Sequence, residues 1–163
     1  MTHTLFLMRH AKAGEASRDH ARPLAERGRR QANEVGGLVS KVAKIDLVWV
    51  SDATRTLQTL EGMRSGGLEV SGVSEHPEFY IGTWRDAIEV IRSGSEDIEV
   101  GMYLGHEPTT NHLSQLLLGD DKVVWEVAYG FPTAGCLQLK FEGTWADLAE
   151  GKARYVDFFA STQ

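Results

Sequence analysis

Three short polar segments carry the side chains that could do chemistry. They are Arg9 to Lys12 (RHAK), Ser51 to Thr59 (SDATRTLQT) and Gly105 to Pro108 (GHEP). Guanidinium forks match the oxygens of a phosphoryl group, and helix N-termini favour anions. The glycine that opens the third segment lets the backbone approach a ligand closely. If the segments meet, they form a site for a small dianion, with phosphate as the first candidate, from four side chains: Arg9, His10, Arg55 and His106.

The two histidines would take different roles at such a site. A neutral imidazole at His10 can attack phosphorus in line and become a phosphohistidine. The arginines and His106 would hold the charge that spreads over the phosphoryl oxygens. Positive surroundings lower the pKa of His10 and keep its imidazole unprotonated near neutral pH. This chemistry needs no metal and no other cofactor. The remaining histidines show no spacing that predicts a metal site: His3, His20, His76 and His112.

The pattern of apolar residues places each polar segment directly after a strand. Short apolar runs predict strands at Thr4 to Met8, Asp46 to Val50 and Glu99 to Leu104. Apolar residues at helical spacing follow each segment, and they predict helices that begin beside Pro23, at Ala53 and at Pro108. Further candidate elements are a strand at Val70 to Val73, a short helix capped by Thr83, and two pairing tail strands, Leu137 to Phe141 and Arg154 to Phe158.

Strands that alternate with helices indicate an α/β fold. A parallel crossover needs a connection of helix length, so we expect a mostly parallel central sheet with helices on both faces. The length suits a single domain over residues 1–163. Ligands of such sheets gather at the carboxyl ends of the strands, which is where the three polar segments fall.

The composition excludes several classes of protein. Seventeen basic against twenty-three acidic side chains give a net charge of −6, so we expect neither nucleic acid nor membrane as a partner. The single cysteine, Cys136, cannot form an intramolecular disulfide. The apolar run from Leu5 to Met8 is too short for a signal peptide or a membrane span. These observations favour a cytoplasmic protein and leave its oligomeric state open.

Taken in order, the motifs resemble those of the histidine phosphatase superfamily, which implies a phosphoglycerate mutase-like fold. The resemblance runs from about Thr4 to Leu118. RHAKA and RPL-x-x-RG are similar to the SixA phosphohistidine phosphatase branch of that superfamily. The matching stretches are LFLMRHAKA with Asp19, RPL-x-x-RG from Arg22 to Gly28, Ser51 to Thr59, LGHEP from Leu104, and PTAG at Pro132 to Gly135 with Trp145.

The resemblance implies roles for individual side chains. His10 would be the phosphorylated nucleophile, and the other pocket members would be Arg9, Arg55 and His106. Ser51 would orient the loop that bears Arg55.

Other positions near these motifs keep open or structural interpretations. Lys12 either adds positive potential or is merely solvated. Arg22 is expected to anchor a turn through an ion pair with Asp19. The larger sugar-phosphate and phytate enzymes of the superfamily carry an acidic proton donor, for which Glu78 is the nearest candidate by position and Glu107 the second.

The proton donor bears on the substrate. Expelling an alkoxide needs a positioned general acid, which commonly contributes about 10²–10⁴ in rate. Imidazole is a better leaving group than an alkoxide, because it departs as a neutral ring whose protonated form has a pKa of about 6.5. We therefore expect protein-bound phosphohistidine as substrate, and acyl phosphates pass the same test. Two alternatives stay open: a phosphomonoesterase acting on a small phosphorylated molecule with Glu78 as the acid, and a catalytically weak phosphate-binding module.

Overall fold

Strands and helices alternate along most of the chain. The computed structural model of the protein describes residues 1–119 and 124–163. Single 3₁₀ turns lie at Asp19–Ala21, Trp125–Val127 and Trp145–Asp147. In chain order the main elements are β1 (Thr2–Arg9), α1 (Glu26–Ser40), β2 (Ile45–Val50), α2 (Thr54–Ser65), β3 (Val70–Glu75), α3 (Glu78–Ile81), α4 (Trp84–Arg92), β4 (Val100–Gly105), α5 (Thr109–Leu118), β5 (Cys136–Glu142) and β6 (Ala153–Phe159).

The strands form one mixed sheet with the order β3-β2-β4-β1-β5-β6. The first four of these strands are parallel to one another, whereas β5 runs antiparallel to β1 and β6 antiparallel to β5. The pairing of β5 with β6 confirms the expectation for the two tail strands. The architecture confirms the predicted α/β class, with a mostly parallel sheet.

Two apolar cores lie on opposite faces of this sheet. Val35 of α1 and Met63 of α2 belong to one core, and Ile91 of α4 and Leu113 of α5 belong to the other. Helices therefore cover both faces, as predicted. Among the described residues, no helix has the length and apolarity that a membrane crossing requires.

The structure corrects one detail of the predicted elements. The first helix begins at Glu26 instead of beside Pro23, because Leu24 forms a bridge with Ala13 and donates its backbone N–H to Gln58. The short helix α3, which the sequence analysis did not predict, lies between the predicted strand β3 and the predicted helix α4. The expected capping box at Thr83 is present, with Asp86 accepting from the Thr83 backbone N–H at 2.8 Å.

A close backbone contact joins α1 to the segment that follows β1. Gly28 packs so tightly that an added Cβ would overlap the carbonyl group of Lys12. The same carbonyl accepts from the Ala25 N–H at 2.9 Å, and the Lys12 N–H donates to Gln31 Oε1 at 2.9 Å. The start of α1 therefore fixes the backbone two residues beyond His10, and only glycine at position 28 permits this approach.

Gly28→Ala should lower the free energy of unfolding by about 1–3 kcal/mol, because overpacked backbone contacts must open. Gly37→Ala in the same helix is the matched control, since its Cβ would lie 3.4 Å from Gly66 O. Helix propensity alone would make that control more stable by up to ~1 kcal/mol. Urea unfolding of both variants measures the difference. Equal stability of the two variants would contradict the packing argument.

Candidate active site

Backbone hydrogen bonds join the three polar segments at one edge of the sheet. Arg9 is level with Gly105 in the parallel pairing of β1 and β4. The His10 N–H donates to Gly105 O at 3.0 Å, and the Ser51 N–H donates to Leu104 O at 3.1 Å. The strand ends therefore bring together the side chains predicted from the sequence, here called the central cluster: Arg9, His10, Arg55 and His106.

His10 is held in one orientation by its own backbone neighbourhood. Its ring nitrogen Nδ1 lies 2.7 Å from the carbonyl oxygen of Ala11, and the residue is only 9% exposed. A carbonyl oxygen can only accept, so Nδ1 carries the proton and Nε2 of the neutral ring keeps a free lone pair. The Ala11 N–H in turn donates to Thr59 Oγ1 at 3.0 Å. Nε2 is therefore the ring nitrogen whose lone pair is available to a ligand.

Burial and positive charge keep the His10 imidazole neutral. Burial lowers the pKa of His10 from 6.5 to about 4, and the charges of Arg55 and Arg9 act in the same direction. The hydrogen bond to Ala11 opposes these effects without overcoming them. At neutral pH the ring is therefore unprotonated.

His106 faces His10 from the other strand end. The two ring centroids are 5.3 Å apart, and His106 Nε2 is hydrogen-bonded to Ser51 Oγ at 2.8 Å. Burial, together with the nearby His10 and Arg55, lowers the pKa of His106 to about 3. An added Cβ at Gly105 would overlap the Tyr103 hydroxyl, so this turn depends on glycine. Ser51 Oγ also accepts from the Ala53 N–H at 3.2 Å, which ties it to the start of α2 and the loop bearing Arg55.

Arg55 and Arg9 are each held in place by some of their N–H groups. Arg55 donates from Nη1 to the carbonyl of Asp19 at 2.8 Å and from Nη2 to its carboxylate at 3.1 Å. Arg9 donates from Nη1 to Phe131 O at 2.8 Å. In the part of the chain that the structure describes, the buried Nε of Arg9 has no protein partner. A guanidinium carries five N–H donors, so both arginines retain donors for an anion.

Asp19 is the carboxylate that pairs with Arg55 and Arg22. Besides Arg55, it accepts from the Tyr80 hydroxyl at 2.7 Å and from Arg22 at 3.2 Å. The hydrogen bonds from Tyr80 and Arg22 lower the pKa of Asp19 to about 2. Arg22 also donates to Gly14 O at 2.9 Å, which confirms its expected role as the anchor of a turn. Asp19 is therefore ionised under ordinary conditions and cannot act as a proton donor.

The two glutamates considered as acids both have partners of their own. Glu78 opens α3 and lies 2.8 Å from His76 Nδ1, and His76 Nε2 is hydrogen-bonded to Ser74 Oγ at 2.7 Å. Glu107 accepts from the backbone N–H groups of Asn111 and Phe131, each at 2.9 Å. Glu107 thus holds the start of α5 against the segment that binds Arg9.

Lys12 contributes through its backbone, and its side chain is exposed. Sequence reasoning did not identify a further polar group next to the central cluster, formed by His20, Asp52 and Tyr80. His20 Nε2 lies 3.0 Å from Asp52 Oδ1, and the Tyr80 ring packs edge-on against His20 at 4.7 Å. The sequence did hold one indication of this group. Asp52 directly follows Ser51, and His20 directly follows Asp19. Ser51 and Asp19 both contact the central cluster.

The nitrogen resonances of His10 should titrate with a pKa of about 4, below the ordinary 6.5, because the folded protein disfavours a further positive charge there. Two-dimensional ¹H–¹⁵N spectra of the histidine rings across pH 3 to 8 measure this midpoint, roughly the range over which His ionises in proteins. The His10→Asn variant assigns the signal. A midpoint near 6.5 would show that burial and the arginines do not act as described.

Comparisons with known proteins agree with this geometry. Residues 5–102 match the family model of the histidine phosphatase superfamily (branch 1). An uncharacterized protein of Mycobacterium tuberculosis is 36% identical over 159 residues, covering 93% of this chain and 98% of that protein.

Two solved structures share both fold and sequence with the chain. One, assigned as a phosphohistidine phosphatase SixA from Nakamurella multipartitia, is 28% identical with a TM-score of 0.89 and covers 100% of this chain and 98% of its own. The other, assigned as SixA from Agrobacterium tumefaciens, is 27% identical with a TM-score of 0.81, and covers 98% of each chain. The family match and the shared fold show that this chain belongs to the histidine phosphatase superfamily, in which it is most like the SixA branch.

Proposed function

We propose that the protein hydrolyses phosphohistidine on another protein and that His10 is its nucleophile. The observation that carries the proposal is the orientation of His10, whose Nδ1 binds the Ala11 carbonyl at 2.7 Å and whose Nε2 is therefore free. Superfamily membership supports a phosphatase, and the two SixA structures support the choice of substrate.

In the proposed reaction, the Nε2 lone pair attacks phosphorus and the bond to the leaving group breaks. A phosphorylated His10 forms and is then hydrolysed by water. Arg9, Arg55 and His106 stabilise the charge on the phosphoryl oxygens, and Ser51 orients His106. Positive charge from fixed guanidinium groups supplies this stabilisation, so the proposed mechanism requires no metal.

The state of the carboxylates near the site favours a substrate whose leaving group departs without a carboxylic acid. Asp19 is ionised because its pKa is lowered to about 2. Glu78 and Glu107 are hydrogen-bonded to His76 and to backbone amides. An alkoxide needs a positioned acid to depart, whereas a neutral imidazole does not need a carboxylic acid. This contrast favours phosphohistidine over phosphate esters of alcohols.

His10→Asn should reduce phosphate release from a phosphohistidine-bearing protein by about 10³-fold or more, because the nucleophile is lost. Initial rates are measured with EDTA present, on that protein and on an aryl phosphate. His112→Asn, which alters an exposed histidine on α5, is the matched control and should match the wild type. Full activity of His10→Asn would refute the mechanism. Tight phosphate binding without turnover by the wild type would instead identify a binding module.

Glu78→Gln should change the rate on phosphohistidine by less than about twofold, because imidazole departs without a carboxylic acid. The same variant is assayed on an aryl phosphate and on an alkyl phosphate. A loss of about 10²–10⁴ confined to the esters would assign Glu78 as their acid and favour the small-molecule phosphomonoesterase. Equal, large losses on all substrates would contradict the leaving-group argument.

A further inference from the structure

His20 and Asp52 form a hydrogen-bonded pair beside the central cluster. The His20 Nε2 to Asp52 Oδ1 distance is 3.0 Å, and the side chains are 45% and 30% exposed, respectively. A carboxylate can only accept, so Nε2 is the donor in this pair. Nδ1 is then the ring nitrogen that can exchange a proton with a ligand. A histidine oriented in this way by a carboxylate is well suited to general acid–base catalysis.

The chain neighbours of this pair both contact the central cluster. Asp19, which precedes His20, binds Arg55 through both its carbonyl and its carboxylate. Ser51, which precedes Asp52, is hydrogen-bonded to His106.

One aromatic ring contacts both His20 and the central cluster. The Tyr80 ring centroid is 4.7 Å from that of His20 and 5.6 Å from that of His106. The charge of His20 also reaches His106, whose pKa it helps to lower. His20 is therefore a partly exposed neighbour of the central cluster, joined to His106 through contacts with the Tyr80 ring.

A phosphohistidine substrate still requires one proton in order to leave. Its ring departs as neutral imidazole only if the nitrogen distal to phosphorus is protonated; otherwise the product would be an imidazolide anion. We infer that His20, oriented by Asp52, donates this proton and is a further catalytic residue of the protein. This inference rests on the proposed function, and no acidic side chain is required for it.

The step balances in both halves of the reaction. His10 Nε2 bonds to phosphorus while the bond from phosphorus to the substrate nitrogen breaks and its electron pair stays on that nitrogen. Protonated His20 gives its proton to the distal nitrogen, so neutral imidazole leaves. Water then attacks the phosphoryl group, the electron pair of the breaking bond returns to Nε2, and neutral His20 takes the proton from water. Hydrogen phosphate is released with both histidines restored.

The neighbouring groups leave His20 as the candidate for this role. Asp19 holds no proton at ordinary pH and is bound to Arg55, Arg22 and Tyr80. The Tyr80 hydroxyl is committed to Asp19, and hydrogen bonding to that carboxylate raises the pKa of Tyr80. Both groups are therefore occupied by their own partners, whereas the His20 ring has Nδ1 available for a proton while Nε2 is hydrogen-bonded to Asp52.

Two donors that differ in one proton test the inference. Phosphoimidazole needs a proton on its distal nitrogen, whereas the nitrogen of phosphoramidate already carries the proton with which it leaves. Rapid-quench measurements follow the formation of phosphorylated His10 in a single turnover. His20→Asn should slow transfer from phosphoimidazole by about 10²-fold and transfer from phosphoramidate by less than about twofold. His112→Asn is the matched control and should slow neither.

The outcomes separate this inference from the proposed function. Equal slowing with both donors, or no slowing with either, would overturn the role of His20 and leave His10 as the nucleophile. If neither donor phosphorylates His10 in the wild type, both proposals fail. Wild-type transfer to His10 from both donors without activity on any phosphohistidine-bearing protein would overturn the proposed substrate alone.

Asp52→Ala tests the orientation of His20 with the same two donors. The variant removes the oxygen that accepts from His20 Nε2 at 3.0 Å, so the ring loses the partner that orients it. Transfer from phosphoimidazole should slow by about 10-fold or more, and transfer from phosphoramidate should change by less than about twofold. An unchanged rate with phosphoimidazole would contradict the role of Asp52 as a positioning residue.

Discussion

The hydrogen bond from His10 Nδ1 to the Ala11 carbonyl is the constraint around which the rest of the structure is arranged. It decides which nitrogen carries the proton, and it does so with backbone that cannot titrate. That backbone is itself held at the next positions by Thr59, Gln31 and the start of α1. These contacts all come from α1 and α2, which cover one face of the sheet. The packing of the two helices therefore fixes the carbonyl group to which His10 Nδ1 donates.

Electrostatics at the site follow from burying like charges together. His10 and His106 lie in a region that also holds several guanidinium groups, in a chain whose net charge is −6. Repulsion among these positive groups is limited because His10 and His106 are neutral and the Asp19 carboxylate is ionised. Asp19 balances Arg55 and Arg22 at the edge of the site, while His10 and His106 stay unprotonated. The site is thus polarised before any ligand arrives, which is the condition for electrostatic stabilisation of a transition state.

The central cluster could be predicted from the sequence because it depends on a general property of parallel sheets. The carboxyl ends of neighbouring strands meet, so three polar segments after three apolar runs must lie close together, and Arg9 is indeed level with Gly105. The contacts of Asp19 with Arg55 and Tyr80 could not be predicted in the same way. Asp19 begins a single 3₁₀ turn and Tyr80 lies on a helix of one turn, and elements this short leave no periodic pattern in the sequence. His20 and Asp52 are 32 residues apart, and only the three-dimensional fold makes them partners.

The pairing of Arg55 with Asp19 has a consequence for how long an anion stays bound. A dianion that enters the site meets a guanidinium whose charge is already partly balanced by a resident carboxylate. Substrate and inorganic phosphate are both bound less tightly than they would be by an unpaired arginine. The loss of binding free energy is the same for the two ligands. A site that gripped phosphate with its full charge would retain its own product. The carboxylate of Asp19 instead favours departure of the product. The site is therefore suited to releasing phosphate and not to retaining it.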